Sequence, residues 1–207
     1  MHNTDALNPP VTPLLRWMTA VEALVVLISG AGLFLLPEVI KPLWPWELAP
    51  FNARAMGALY FTSLIAAAVT AWRGRWSPAR VVTPMIFTFT LIVLIVSLVY
   101  LPRFSGASTL AWFGLYIGIP IIAAYHLWLY RSLPPADALP TPGWLRACLL
   151  AYAAFFLVYG VAMLVIPTTA TAFWPWGIDE FHGRMYSVGF ITPAVGCLLL
   201  LRSGSAL

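Results

Sequence analysis

Six stretches of apolar residues, each about as long as a helix that crosses a bilayer, constrain this chain more than anything else in its sequence. They cover residues 14–36, 52–72, 79–101, 109–130, 144–166 and 181–201. The expected fold is all-α and integral to the membrane: six transmembrane helices in a single domain over residues 1–207. Composition supports this. The chain is 61% hydrophobic and 9% charged, whereas soluble domains carry about 25% charged residues. A water-soluble protein of this size could not hide so much apolar surface. Residues 1–13 are polar and Pro-rich, and the first apolar run is too long for a signal-peptide core. It is therefore expected to stay as a span. Pro84, Pro120 and Pro193 fall inside spans. Neighbouring helices can satisfy the carbonyls they free, so kinks are expected there.

The formal net charge of +4 is spread along the chain. No basic stripe exists to follow a nucleic acid, and nucleic acid is excluded as a partner. The bilayer is the expected one. Arg16, Arg73, Arg75, Arg80, Arg131, Arg146 and Arg202 fall on one side of the six spans. Lys41, Arg54, Arg103 and Arg184 fall on the other, together with Glu38, Glu47, Asp179 and Glu180. The Lys/Arg bias of short loops makes the first side cytoplasmic, with both termini there. The preference for Arg over Lys, with abundant Pro and Trp, points to a bacterial source. The expected site is then the bacterial cytoplasmic (inner) membrane.

An internal repeat organises the spans. Residues 33–66 align without gaps on 163–196. Pro37 meets Pro167, Trp44-Pro45-Trp46 meets Trp174-Pro175-Trp176, Phe51 meets Phe181, Arg54 meets Arg184 and Thr62 meets Thr192. Gly30 meets Gly160 upstream. Half the offset also lands on a proline, Pro102. Three helical hairpins follow, over about 13–77, 78–142 and 143–207. The first and third are clearly related, and the middle one is a diverged copy. Four spans separate the clear copies, so they share one orientation as parallel repeats.

Within the repeat, Trp44, Trp46, Trp174 and Trp176 are candidate ligand or partner contacts, since Trp is enriched in binding hot spots. The bland alternative is an interfacial anchor. Trp prefers the headgroup zone, and both loops are expected along the outer membrane surface, capping the bundle. Arg54 and Arg184 open their spans, where the helix dipole disfavours a cation. Each calls for a partner: a loop carbonyl, Glu47 or Glu180, or a lipid phosphate held by the Arg fork.

Two ionisable groups lie inside spans. Glu22 is the only acid deep in one, and an intramembrane carboxylate is by default a functional candidate. His126 lies in the fourth span. At about 1.5 Å per residue, their depths differ by about 5 Å, within pairing distance if their helices are neighbours. The alternative is polar glue between helices. No cofactor is expected. His126 and His182 lie at opposite faces and cannot clamp one haem, which leaves pigment ligation by His126 alone as a remote option. Asp179, Glu180 and His182 form a possible metal corner, though acids also favour a helix N-terminus. Cys148 and Cys197 are expected as small buried hydrophobes, without a disulfide on the reducing side.

The segment Leu43-Trp44-Pro45-Trp46-Glu47-Leu48-Ala49-Pro50, followed by Arg54 and Gly57, resembles a pattern found in bacterial multi-span membrane proteins of no known activity. The second copy departs from it, with Glu180 and Ser187 at the Pro and Gly positions. The resemblance implies a multi-span membrane fold and no activity.

The leading functional expectation is a non-enzymatic accessory or scaffold subunit of a larger membrane complex, or self-association. The alternative is a carrier or binder of a hydrophobic small molecule, a lipid or a quinone. It requires a cavity under the Trp-Pro-Trp loops, faced by Arg54 and Arg184. The third is a membrane enzyme, which requires Glu22 and His126 within hydrogen-bond reach.

Overall fold

A computed structural model describes residues 8–134 and 141–203. Six helices are long and apolar enough to cross a membrane. They are α1 (Pro13–Leu35), α2 (Pro50–Arg73), α3 (Trp76–Val99), α4 (Ser108–Leu129), α5 (Gly143–Val165) and α6, which runs as Glu180–Tyr186 and then Val188–Ser203.

Local chemistry sets the helix ends. Thr12 caps α1, its hydroxyl accepting the Leu15 N–H at 3.2 Å, and Pro13 follows at the first helical position, where no N–H is needed. Gly74 closes α2 at φ +58°, a left-handed conformation that a Cβ would disfavour. Asp179 caps α6 by accepting the His182 N–H. The sixth span was expected to be continuous. It stays helical through Ser187 (φ −52°, ψ −31°), though the ladder loosens where the Ser187 hydroxyl bonds the Arg184 carbonyl at 2.6 Å. That bond competes with the helical ladder for the same oxygen.

The helices pack as hairpins: α1 on α2, α3 on α4, and α5 on α6. α6 also packs on α3, which leaves α5 on the periphery. Small residues make the close crossings. A Cβ at Gly57 would lie 2.7 Å from the Phe34 nitrogen and 2.9 Å from the Gly30 oxygen, so backbone touches backbone in the first hairpin. In the third hairpin, a Cβ at Gly160 would lie 3.0 Å from the Ile191 nitrogen.

The chain leaves α1 and α5 in the same way. Leu36 (φ −127°, ψ 50°) and Ile166 (φ −126°, ψ 58°) turn it into one-turn helices, Pro37–Ile40 and Pro167–Ala170, each opened by a buried proline. Trp44 then donates its N–H to the Lys41 carbonyl, and Trp174 to the Thr171 carbonyl. At the other end of the bundle, the segment before α1 pairs with the α2–α3 turn through Val11 N–H to Gly74 O and Trp76 N–H to Pro9 O. Arg16 Nε adds a bond to the Ala71 carbonyl.

Candidate ligand cavity under the first aromatic loop

The first Trp-Pro-Trp loop folds into the bundle rather than lying along its surface. Trp46 is 3% exposed. Its ring meets Trp112 at 4.8 Å, Phe104 at 5.1 Å, Phe181 at 5.2 Å and Trp44 at 5.5 Å between centroids. The interfacial placement expected for this residue is therefore corrected. Its N–H finds a protein acceptor, His182 Nε2 at 3.3 Å, and needs no water. The second loop is only half-buried. Trp174 donates to the Tyr159 hydroxyl at 2.6 Å, and Trp176 packs on Phe51 at 4.3 Å. The two loops thus make reciprocal contacts, Trp46 on Phe181 and Trp176 on Phe51.

Charges hold the loops from outside. The His182 Nδ1–H bonds Asp179 Oδ1 at 2.7 Å, which leaves Nε2 as the acceptor for Trp46. Arg103 pairs with the other Asp179 oxygen. Asp179, Glu180 and His182 therefore form a cap and ion-pair network. Among the described residues, no group of three or more His, Cys, Asp or Glu is placed to hold a metal. Partial burial pushes the Asp179 carboxyl up. The His182 N–H, Arg103 and the His182 ring outweigh this and hold it below its ordinary value of 3.8. A depressed carboxyl stabilises the fold above its unfolded value, and that contribution is lost as pH falls through the folded value. Wild type is therefore expected to melt above Asp179→Asn at neutral pH, with the gap closing as pH falls through the folded value, which lies below 3.8. Thermal melts of the purified chain check this, and a gap independent of pH would contradict it.

Arg184 donates to the Leu164 carbonyl at 3.1 Å, to the Tyr100 hydroxyl and to Glu180 at 2.8 Å. Arg54 is exposed. Neither is among the residues that line the cavity described below, so the expected inward pair of guanidiniums is corrected. The carbonyl and carboxylate that satisfy Arg184 lie on the loop side of its helix. Cys148 and Cys197 are free, and Cys148 is exposed rather than buried. Tyr152, aligned with Glu22 in the repeat, is 58% exposed on the outer face of α5.

A cavity of about 480 Å³ lies beneath Trp44 and Pro45, lined by α1, α2, α3, α4 and α6. Its size is in the range of small-molecule sites, about 300–1,000 Å³. The walls are mostly aliphatic and aromatic. Trp44 meets Trp112 edge to face at 5.7 Å and lies 6.3 Å from Tyr60. The Tyr60 and Tyr116 hydroxyls are 3.4 Å apart. Glu22 lines the same cavity, within electrostatic reach of Tyr116. Three lining residues hold a buried polar atom without a hydrogen-bond partner: Glu22 Oε2, Trp44 Nε1 and Thr192 Oγ1. Buried polar atoms are normally satisfied, and these three are exceptions that fall on residues around the cavity. Trp174 and Trp176 do not line the cavity.

His126 is fully buried but has no part in this site. Its ring bonds the Thr12 hydroxyl at 2.6 Å and the Ile122 carbonyl at 2.7 Å. The expected pairing with Glu22 is thus corrected. The N-cap of α1 reaches the imidazole, while Glu22 faces the cavity further along. Both ring nitrogens are engaged by these two groups. His126 instead clips α1 to α4 at one end, and the cavity lies between these helices beyond the clip.

Tyr60, Trp112, Tyr116 and Thr192 escaped sequence reasoning as site residues. A usable signal existed in Trp112 and Tyr116, which sit one helical turn apart on α4 and so share a face. Fold and site together define a chain of six membrane-length helices around an aromatic cavity with one carboxylate. Set against known protein families, curated proteins and solved structures, the chain matches none.

Proposed function

We propose that this protein is a non-enzymatic membrane protein that binds or carries a hydrophobic small molecule, the class that includes lipids and quinones. The cavity beneath Trp44 carries this reading. Its lining residues Leu43, Thr62 and Ala111 are exposed, giving a ligand a way in from the surrounding medium. Ala66→Phe places a ring among the lining residues. It is expected to cut the amount of co-purifying apolar molecule on the order of tenfold, a loss of about 1.4 kcal/mol in binding. Mass spectrometry of organic extracts, normalised to folded protein, reads this out. Equal extracts from both chains would remove the cavity as the binding site.

The architecture proposed with it is a duplicated hairpin, with α1–α2 and α5–α6 related by a local two-fold axis and α3–α4 a diverged third unit. Support comes from the reciprocal Trp46–Phe181 and Trp176–Phe51 contacts, the pattern of a self-complementary interface. The close approach of Leu59 to Gly189, which are equivalent positions, adds to it. The Arg bias of one side favours termini on the cytoplasmic face of a bacterial inner membrane.

A second reading, an accessory subunit of a larger membrane complex, is favoured by α5. This helix packs mainly on α6 and presents Trp144, Tyr152, Phe155 and Val158 outward. Native mass spectrometry after gentle solubilisation is expected to retain another polypeptide if this holds. A clean monomer would count against it.

A further inference from the structure

We infer that the molecule held in this cavity is a lipophilic organic cation: a protonated amine or quaternary onium group on an apolar body. The inference rests on the cavity being a binding site and names the chemistry it selects. Glu22 is 9% exposed and lines the cavity, and its Oε2 has no hydrogen-bond partner. It is the only acidic side chain among the described lining residues, which include no Arg, Lys or His. Burial in an apolar interior keeps a lone carboxyl neutral unless a partner of opposite sign arrives to pair with its ionised form. Here the protein supplies none.

The walls favour the same ligand. Trp44, Tyr60, Phe89, Trp112 and Tyr116 surround the space. An aromatic face attracts a cation through its quadrupole, most strongly for Trp, and more when water is excluded. Aromatic cages of this kind recognise onium groups. The unpartnered Thr192 hydroxyl can accept an N–H from a protonated amine. An anionic ligand would meet a carboxylate and π faces and no cation. A neutral one would leave the carboxyl in its protonated form.

The test uses the full chain in nanodiscs, with empty discs subtracted. Labelled tetraphenylphosphonium is the probe. Unlabelled tetraphenylphosphonium and neutral triphenylphosphine oxide are the competitors. The cation is expected to compete at a concentration at least on the order of tenfold lower than the neutral compound. Glu22→Gln, which keeps the side-chain shape, is expected to erase that preference. Ala66→Phe is expected to weaken both competitors. Equal competition in the wild-type chain overturns the inference without needing any variant to fold. A preference that persists in Glu22→Gln overturns it too, because another group would then recognise the charge. In either case, weakening by Ala66→Phe leaves the cavity standing as a site for neutral molecules. No specific binding of the probe, or binding indifferent to Ala66→Phe, removes the inference; the cavity reading falls only if co-purifying apolar molecules are also indifferent to Ala66→Phe.

Discussion

Trp46→Ala is expected to destabilise the fold by about 3–5 kcal/mol, the range for removing a buried large aromatic side chain. Trp46 joins parts of the chain that are far apart in sequence. Its ring touches Trp112 of α4, Phe104 of the middle loop and Phe181 of α6. Its N–H also satisfies His182. Alanine removes these contacts and leaves the His182 Nε2 acceptor buried and unpaired, a further cost of about 1–3 kcal/mol. Trp46→Phe separates the two effects, keeping most of the packing and losing only the hydrogen bond. Trp176→Ala, on the half-buried second loop, is expected to cost less than Trp46→Ala. Melting midpoints in one detergent order the three variants. A Trp46→Ala chain that melts with wild type would mean the first loop does not brace the bundle.

Gly57→Ala is expected to cost about 3 kcal/mol or more, at or beyond the upper end of ordinary overpacking. The obstruction is backbone. The new Cβ would meet the Phe34 nitrogen at 2.7 Å and the Gly30 oxygen at 2.9 Å. No side chain can rotate away, so α1 and α2 must separate along their contact. The cavity borders both helices, and ligand retention should fall with stability. Gly30→Ala faces its nearest atom at 3.3 Å and is expected to be milder. Gly114→Ala meets nothing within 4 Å and is expected to be neutral or to stabilise α4 by up to about 1 kcal/mol through helix propensity. Thermal melts of the three variants check the order Gly57, Gly30, Gly114. Equal effects would show that the first hairpin does not depend on this contact.

Both predictions concern residues that the sequence marks clearly, yet neither effect could be read from it. Trp46 stands in a repeated Trp-Pro-Trp, which identifies a corner of the chain but not its direction. Its copy Trp176 stands in the same Trp-Pro-Trp motif and is less buried. The difference arises because Phe104 and Trp112, from the unlike middle hairpin, close over the first loop only. Glu22 and His126 are similar. Their depths follow from residue counts, and each does lie within its helix. Which one meets a partner depends on how α1 and α4 are rotated and where Thr12 falls.

The sequence by itself determined the number of helices, their lengths and most of their ends. Bilayer thickness sets the length of an apolar run, and Thr12, Pro13, Gly74 and Asp179 act on their own neighbours. Only the tertiary structure decided which face of each helix turns inward. In a soluble helix, contrast between apolar and polar faces marks the buried one. In a bilayer, lipid and protein core are equally apolar, so Tyr152 on the outer face and Tyr60 on the inner look alike in the sequence. The cavity, its one carboxylate and its aromatic walls exist because five helices happen to turn those faces toward one another.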